Sequence, residues 1–258
     1  MADEVLWAIQ DGIATLTLNR PEKRNAINLA MMERLTELLQ TLEQHREVRV
    51  VVIRAAGSVF CSGRDLREMS EQQRSQEGAR RGDVVQVFHQ LETLRHPTIA
   101  MIQGDALAGG CELALHCDFR VAAEAARFGM PLARLGLVVP FALAGKLLEI
   151  IGPAFTRQFL LTAQPMTARR AYDIGMLHEV VASEELEQAT MTLARTMAGN
   201  APLALQGIKA NILRHLSGGA QIAHQDLDDM VERTRRSADA REGVRAWLEK
   251  RPPVFRGE

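Results

Sequence analysis

The sequence predicts an α/β protein with a mainly parallel sheet, followed by a helical region. Three observations lead there. Strand-like and helix-like segments alternate through the first half of the chain, the pattern of strands joined by helical crossovers. Val50-Val51-Val52-Ile53 is an uninterrupted β-branched run, which suits a strand covered on both faces. Past Asn200-Ala201-Pro202 only helical patterns remain, so the end of the chain reads as a separate layer or an oligomerisation element. The expected division is a core over 1–200 and a helical region over 201–258.

Each element has a local reason. Val5–Ile9 and Ile13–Leu18 are strands joined across Asp11-Gly12, a hairpin turn signal. Asn28 is a helix N-cap, and Met32, Leu35, Leu38, Leu39 and Leu42 then recur at helical spacing to about His45. Val48–Ala55 and Thr98–Ile102 are strands, the second started by Pro97. Residues 110–116 read as a short buried helix and Phe119–Ala122 as a further strand. From about Pro140 the expected helices are 141–151, 154–162, 167–174, 184–198, 202–215, 221–236 and 239–250.

Composition narrows the function. The 258 residues, 47% hydrophobic and 24% charged, are enough to bury a large core near the upper size for a single one. A net charge of −1 gives no general attraction to nucleic acid or an anionic membrane. The opening Met1-Ala2-Asp3-Glu4 has no signal pattern. The longest apolar stretch, Leu135 to Gly145, contains Pro140 and falls short of the roughly 20 residues that span a bilayer. Cys61, Cys111 and Cys117 have neither metal-ligand nor disulfide spacing. They read as small buried residues of a protein in a reducing compartment, the cytoplasm, and no metal is expected.

Three polar segments follow apolar runs. In Ala106-Leu107-Ala108-Gly109-Gly110-Cys111-Glu112-Leu113 the glycines allow an unusual φ and close approach of a ligand to the backbone. The first-turn amides of the following helix point back at the loop. Glu112 is either a carboxylate beside that loop or a capping-box glutamate. In Val59-Phe60-Cys61-Ser62-Gly63-Arg64-Asp65-Leu66 the Arg64 N–H is a second donor, and Asp65 has the position of a helix N-cap. Two such amides converging on one point make an oxyanion hole, which stabilises the enolate of a thioester. Asn19-Arg20-Pro21-Glu22-Lys23-Arg24-Asn25-Ala26-Ile27 is a loop whose Lys23 and Arg24 suit a nucleotide phosphate, or a solvated turn.

The order and spacing of these pieces resemble the crotonase (enoyl-CoA hydratase/isomerase) superfamily. The likeness runs through Leu18–Ile27, Phe60–Met69, Gly104–Asp118, Thr162–Val181 and the tail Glu249-Lys250-Arg251-Pro252-Pro253-Val254-Phe255-Arg256. It implies a crotonase-like spiral of ββα units with a C-terminal helical trimerisation region, forming a homotrimer or a hexamer. It implies an acyl-CoA thioester as substrate and no further cofactor, coenzyme A being part of the substrate. By position the oxyanion hole is the amides of Arg64 and Gly109, and Glu112 is the catalytic acid or base. Lys23, Arg24, Ala26, Gly63, Arg64, Asp65 and Leu66 hold the CoA, and Phe255, with Arg256, touches the CoA of a neighbouring subunit.

The chain also departs from that pattern. Hydratases of the family use a second glutamate after the proline of Met130-Pro131-Leu132, and here Leu132 lines the site instead. The enoyl isomerase branch resembles Leu135–Phe141 but also tends to carry an acid at position 132. Arg134 stands where the dienoyl isomerases have one. The decarboxylase branch expects a tyrosine near Val139 or Pro140, while the only tyrosine is Tyr172. Arg64 replaces a commonly small residue, its guanidinium either reaching a substrate carboxylate or CoA phosphate, or pairing with Asp65 or Glu68. His116, one turn beyond Glu112, reads as a satisfied buried histidine rather than a proton relay. The expected reaction is hydration of a 2-enoyl-CoA or double-bond isomerisation. The alternatives are decarboxylation or hydrolysis of an acyl-CoA, or a non-catalytic acyl-CoA- or RNA-binding role, with nucleic acid disfavoured by the charge.

Overall fold

The computed structural model describes residues 3–68, 84–135 and 137–218, and beyond them 226, 237–239, 242, 246, 249, 251 and 253–258. Strands β1 (Val5–Gln10) and β2 (Ile13–Leu18) form the expected antiparallel hairpin, with Asp11 and Gly12 both at positive φ in the turn. Helix α1 (Leu29–Gln44) starts where Asn28 Oδ1 accepts the Met31 amide at 2.9 Å, and it buries Met32, Leu35, Leu38, Leu39 and Leu42. Strand β3 (Val50–Ala55) begins two residues later than expected, because the Val48 amide closes a turn onto the His45 carbonyl.

Beyond β3 come α2 (Val84–Thr93), β4 (Thr98–Ile102), β5 (Ala106–Leu107), α3 (Gly109–Leu115), β6 (Phe119–Ala123) and β7 (Arg127–Gly129). Then follow α4 (Phe141–Thr162), β8 (Met166–Thr167), α5 (Ala168–Asp173), β9 (Glu179–Val181), α6 (Leu186–Ala198) and α7 (Pro202–Gly218). The two helices expected over 141–162 are present as the two halves of α4, separated by non-helical backbone at Gly152, which has φ +68 and precedes Pro153. The expected helix 221–236 falls, apart from residue 226, outside the described residues. Of 239–250, residues 239, 242, 246 and 249 are described, and they are helical.

Strands β1-β2-β3-β4-β6-β9 make one sheet, parallel from β2 onward. Val51 and Ile53 face a large core shared with α1, α2, α3 and α4, whereas Val50 and Val52 face Leu186, Ala194 and Met197 of α6. The β-branched run is thus covered on both sides, as its composition requires. A second, smaller sheet, β5-β7-β8, contains the strand that leads into the Gly109-Gly110 turn.

Candidate active site

The three polar segments are held together by main-chain pairing. Ile27 bridges Arg64, and Cys61 bridges Ala106. The Ile27 amide donates to the Gly63 carbonyl at 2.7 Å, Asp65 N to the Ile27 carbonyl at 2.9 Å, and Ser62 N to the Arg24 carbonyl at 3.1 Å. Leu107 N donates to the Cys61 carbonyl at 2.9 Å, and Ala108 N to the Gly129 carbonyl at 2.7 Å, which extends the stack into β7. Segments distant in sequence therefore meet in one register.

This stack brings Arg64 N and Gly109 together. A Cβ built on Gly109 would lie 3.6 Å from Arg64 N, and one built on Gly63 would lie 3.1 Å from Gly109 N. The glycines do different work from that expected. The unusual backbone near the double glycine belongs to Ala108, at φ 46 and ψ −119, a conformation that costs a non-glycine residue about 1–3 kcal/mol. Gly110 is required by space, since a Cβ there would sit 2.2 Å from the Cys61 carbonyl oxygen. The first ladder bond of α3 runs from Glu112 N to Ala108 O at 3.1 Å, so the amides of Gly109, Gly110 and Cys111 precede the ladder.

Glu112 is completely buried, and neither of its carboxylate oxygens has a hydrogen-bond partner among the described residues. It is therefore not a capping-box glutamate. Burial pushes its carboxyl up to about 8, against a smaller opposing effect of the Lys146 ammonium. His116 Nδ1 lies 4.0 Å from Glu112 Oε2 and 2.7 Å from the Glu112 carbonyl oxygen. Burial also pushes the Cys61 and Cys117 thiols up to about 12, in keeping with small structural side chains rather than nucleophiles.

Sequence reasoning did not find what organises the 20–27 loop. Asn25, fully buried at φ 53, accepts the Arg20 amide at 2.9 Å and donates to the carbonyls of Ala56 (2.8 Å) and Val59 (2.7 Å). Arg20 binds the Ala26 carbonyl at 2.6 Å and Asp65 Oδ2 at 3.3 Å. The loop's polarity was visible, but partners more than 30 positions away were not. Lys23 and Arg24 are exposed, with Arg24 paired to Asp105 at 3.3 Å, and Ala26 is half-buried.

Asp65 does cap the following turn, accepting from Arg67 N at 3.2 Å, and Leu66 is exposed. Of the two carboxylates near Arg64 in sequence, Asp65 pairs with Arg20 at 3.3 Å and Glu68 accepts the Leu29 amide at 2.9 Å. Leu132 packs, half-buried, against the main core. Phe255 is not brought to the site within one chain, for its carbonyl accepts Arg49 Nη2 at 2.7 Å, at the end of β3 away from the Phe60–Leu66 loop.

Residues 8–258 match the enoyl-CoA hydratase/isomerase family. The chain belongs to that family. It is 32% identical to the 2,3-dehydroadipyl-CoA hydratase of Escherichia coli over 98% of this chain and 99% of the relative. It is 33% identical to the short-chain-enoyl-CoA hydratase of Clostridium acetobutylicum, covering 96% of both chains. The crystal structure of an enoyl-CoA hydratase/carnithine racemase from Magnetospirillum magneticum superposes with a TM-score of 0.93 at 32% identity, covering 100% of this chain and 97% of that one. An enoyl-CoA hydratase from Bacillus anthracis gives 0.88 at 30% identity, over 99% and 100%. The fold is the α/β crotonase fold, and the protein is an enzyme of the enoyl-CoA hydratase/isomerase type acting on acyl-CoA.

Proposed function

We propose that the enzyme shifts the double bond of an enoyl-CoA through an enolate held by the amides of Arg64 and Gly109, with Glu112 moving the proton. Glu112 takes an α-proton from a 3-enoyl-CoA, and the C–H electron pair moves onto the thioester oxygen. When the carbonyl re-forms, Glu112 returns the proton to the γ-carbon and the double bond lies between α and β. The two amides favour the charged oxygen over the ground-state carbonyl, which lowers the barrier. A carboxyl poised near pH 8 serves both halves of the transfer. The observation that carries this reading is an enclosed carboxylate whose oxygens have no hydrogen-bond partner among the described residues, alongside apolar Leu132 at the position of a second acid.

Hydration of a 2-enoyl-CoA is the second reading, favoured by the hydratase names of the Escherichia and Clostridium relatives. Glu112 then gives its proton to the α-carbon and takes one from the water whose hydroxyl adds to the β-carbon. The two readings separate on a panel of 2-enoyl- and 3-enoyl-CoA esters followed by mass spectrometry. Migration leaves the mass unchanged and hydration adds one water. Glu112→Gln abolishes either reaction while butanoyl-CoA still binds, and undiminished turnover in that variant removes Glu112 from the scheme.

In this reading the CoA is held by the loop of Lys23, Arg24 and Ala26 and by the loop of Gly63, Arg64, Asp65 and Leu66, with no diffusible cofactor or metal. The site belongs to 1–200, and 201–258 mediates assembly into a trimer or a hexamer, placing Phe255 against a neighbour's CoA. Ile208, Ile212 and Leu216, spaced by four on α7 and each more than half exposed, supply an apolar stripe for that association. The three buried thiols suit the cytoplasm.

A further inference from the structure

Glu112 moves protons yet has no surface of its own: its exposure is 0%. Beside its carboxylate lies the titratable side chain of His116, itself buried at 6% exposure. On one edge, His116 Nδ1 stands 4.0 Å from Glu112 Oε2. His116 also lines a cavity of about 970 Å³ between α2, α4 and α7. The charged and titratable groups around that cavity are His89 and Glu92 on α2, Lys146 and Glu149 on α4, and Arg214 on α7. Lys146 Nζ bridges Glu92 (2.5 Å) and Glu149 (2.8 Å).

We propose that His116 is a positioning residue that passes protons from this cavity to Glu112, behind the acyl-CoA site. The proposal rests on the reading of Glu112 as the proton-moving group. A carbonyl oxygen only accepts, so the 2.7 Å contact to the Glu112 carbonyl fixes the resting proton on Nδ1 and leaves the Nε2 lone pair free of it. Phe88 stacks on the ring at a centroid distance of 5.4 Å and holds its plane. Burial keeps the imidazole below the usual histidine range, so the neutral form is the resting one.

The step balances. A hydronium ion in the cavity gives its proton to Nε2 and becomes water as the Nδ1 proton moves to the Glu112 carboxylate, which leaves a neutral imidazole protonated on Nε2. The reverse step unloads the carboxyl and restores the Nδ1 proton. Closing the 4.0 Å gap gives up little. The Glu112 carbonyl keeps the backbone amide of His116 at 3.0 Å, and the carboxylate oxygens have no other described partner to leave. The i, i+4 spacing on α3 is what sets Glu112 and His116 side by side.

The test is a pH jump from alkaline to neutral on the full-length protein saturated with butanoyl-CoA, with proton uptake followed by an indicator dye. Wild type takes up a proton that Glu112→Gln does not. His116→Gln keeps an amide donor for the Glu112 carbonyl. It slows the uptake by about 10²-fold with unchanged amplitude, the lower end for a positioned acid–base group. In His116→Ala, added imidazole restores the rate. Ala142→Trp, an exposed substitution lining the same cavity, slows uptake without touching the core.

An uptake rate equal to wild type in folded His116→Gln, or in Ala142→Trp, overturns the relay. The two proposals fail separately. Glu112→Gln that still turns over enoyl-CoA refutes the role of Glu112. An inactive Glu112→Gln combined with unslowed uptake in His116→Gln refutes the relay alone.

Discussion

Replacing Glu112 by glutamine should make the protein more resistant to alkaline unfolding, and the size of the effect follows from its burial. The carboxyl rises from 4.5 to about 8 in the folded chain because burial disfavours its charge. The folded state therefore binds the proton more tightly than the unfolded state. Stability is highest below the unfolded value, falls as pH rises between the two values, and is flat above about 8. At about 1.4 kcal/mol per unit the full span corresponds to about 5 kcal/mol. Glutamine does not titrate, so the variant lacks this loss. Between about pH 5.5 and pH 9 the wild type should lose about 3 kcal/mol more than Glu112→Gln. Urea unfolding of both proteins across this range measures it, and all other titrating groups are common to the pair. Parallel pH profiles would refute the argument, because they mean that Glu112 ionises in the folded protein as it does in water.

Three further outcomes follow from named contacts. Gly110→Ala sets a methyl group against the Cys61 carbonyl 2.2 Å away and must displace the start of α3. Turnover should fall by about 10²–10³-fold, as for loss of an oxyanion donor, measured as kcat with the best enoyl-CoA. Asn25→Ala removes three hydrogen bonds at a fully buried, left-handed position, and should cost about 2–4 kcal/mol in urea denaturation. Leu132→Glu introduces a second acid on the family's pattern and should raise hydration of a 2-enoyl-CoA by about 10²-fold, read as gain of water by mass spectrometry. No gain would show that something other than Leu132 limits hydration.

What could be read from the sequence was what local chemistry decides. Asn28 caps α1 because its side chain satisfies an amide three residues on. Val50–Ile53 had to be covered on both faces because nothing polar interrupts it. The pairing of the Gly63 and Gly109 loops was legible only through the resemblance, since no periodicity links positions forty residues apart. The two- and three-residue strands β5, β7 and β8 escaped notice because so short a strand has no pattern of its own and exists through its partners. Helix α2 was overlooked despite Val87, Phe88 and Leu91 on its buried side. The strain at Ala108 was hidden for a different reason: alanine carries no signal of a left-handed backbone, and the adjacent glycines drew the expectation to themselves.

The ladder of isolated bridges that joins Ile27 to Arg64 and Cys61 to Ala106 is written in backbone atoms alone. Residue 64 is held in register by main-chain pairing on both sides of its peptide unit, from Ile27 N to the Gly63 carbonyl and from Asp65 N to the Ile27 carbonyl. The direction of the residue-64 amide is thus inherited from the chain's own peptide-to-peptide stitching, which spans segments almost forty positions apart.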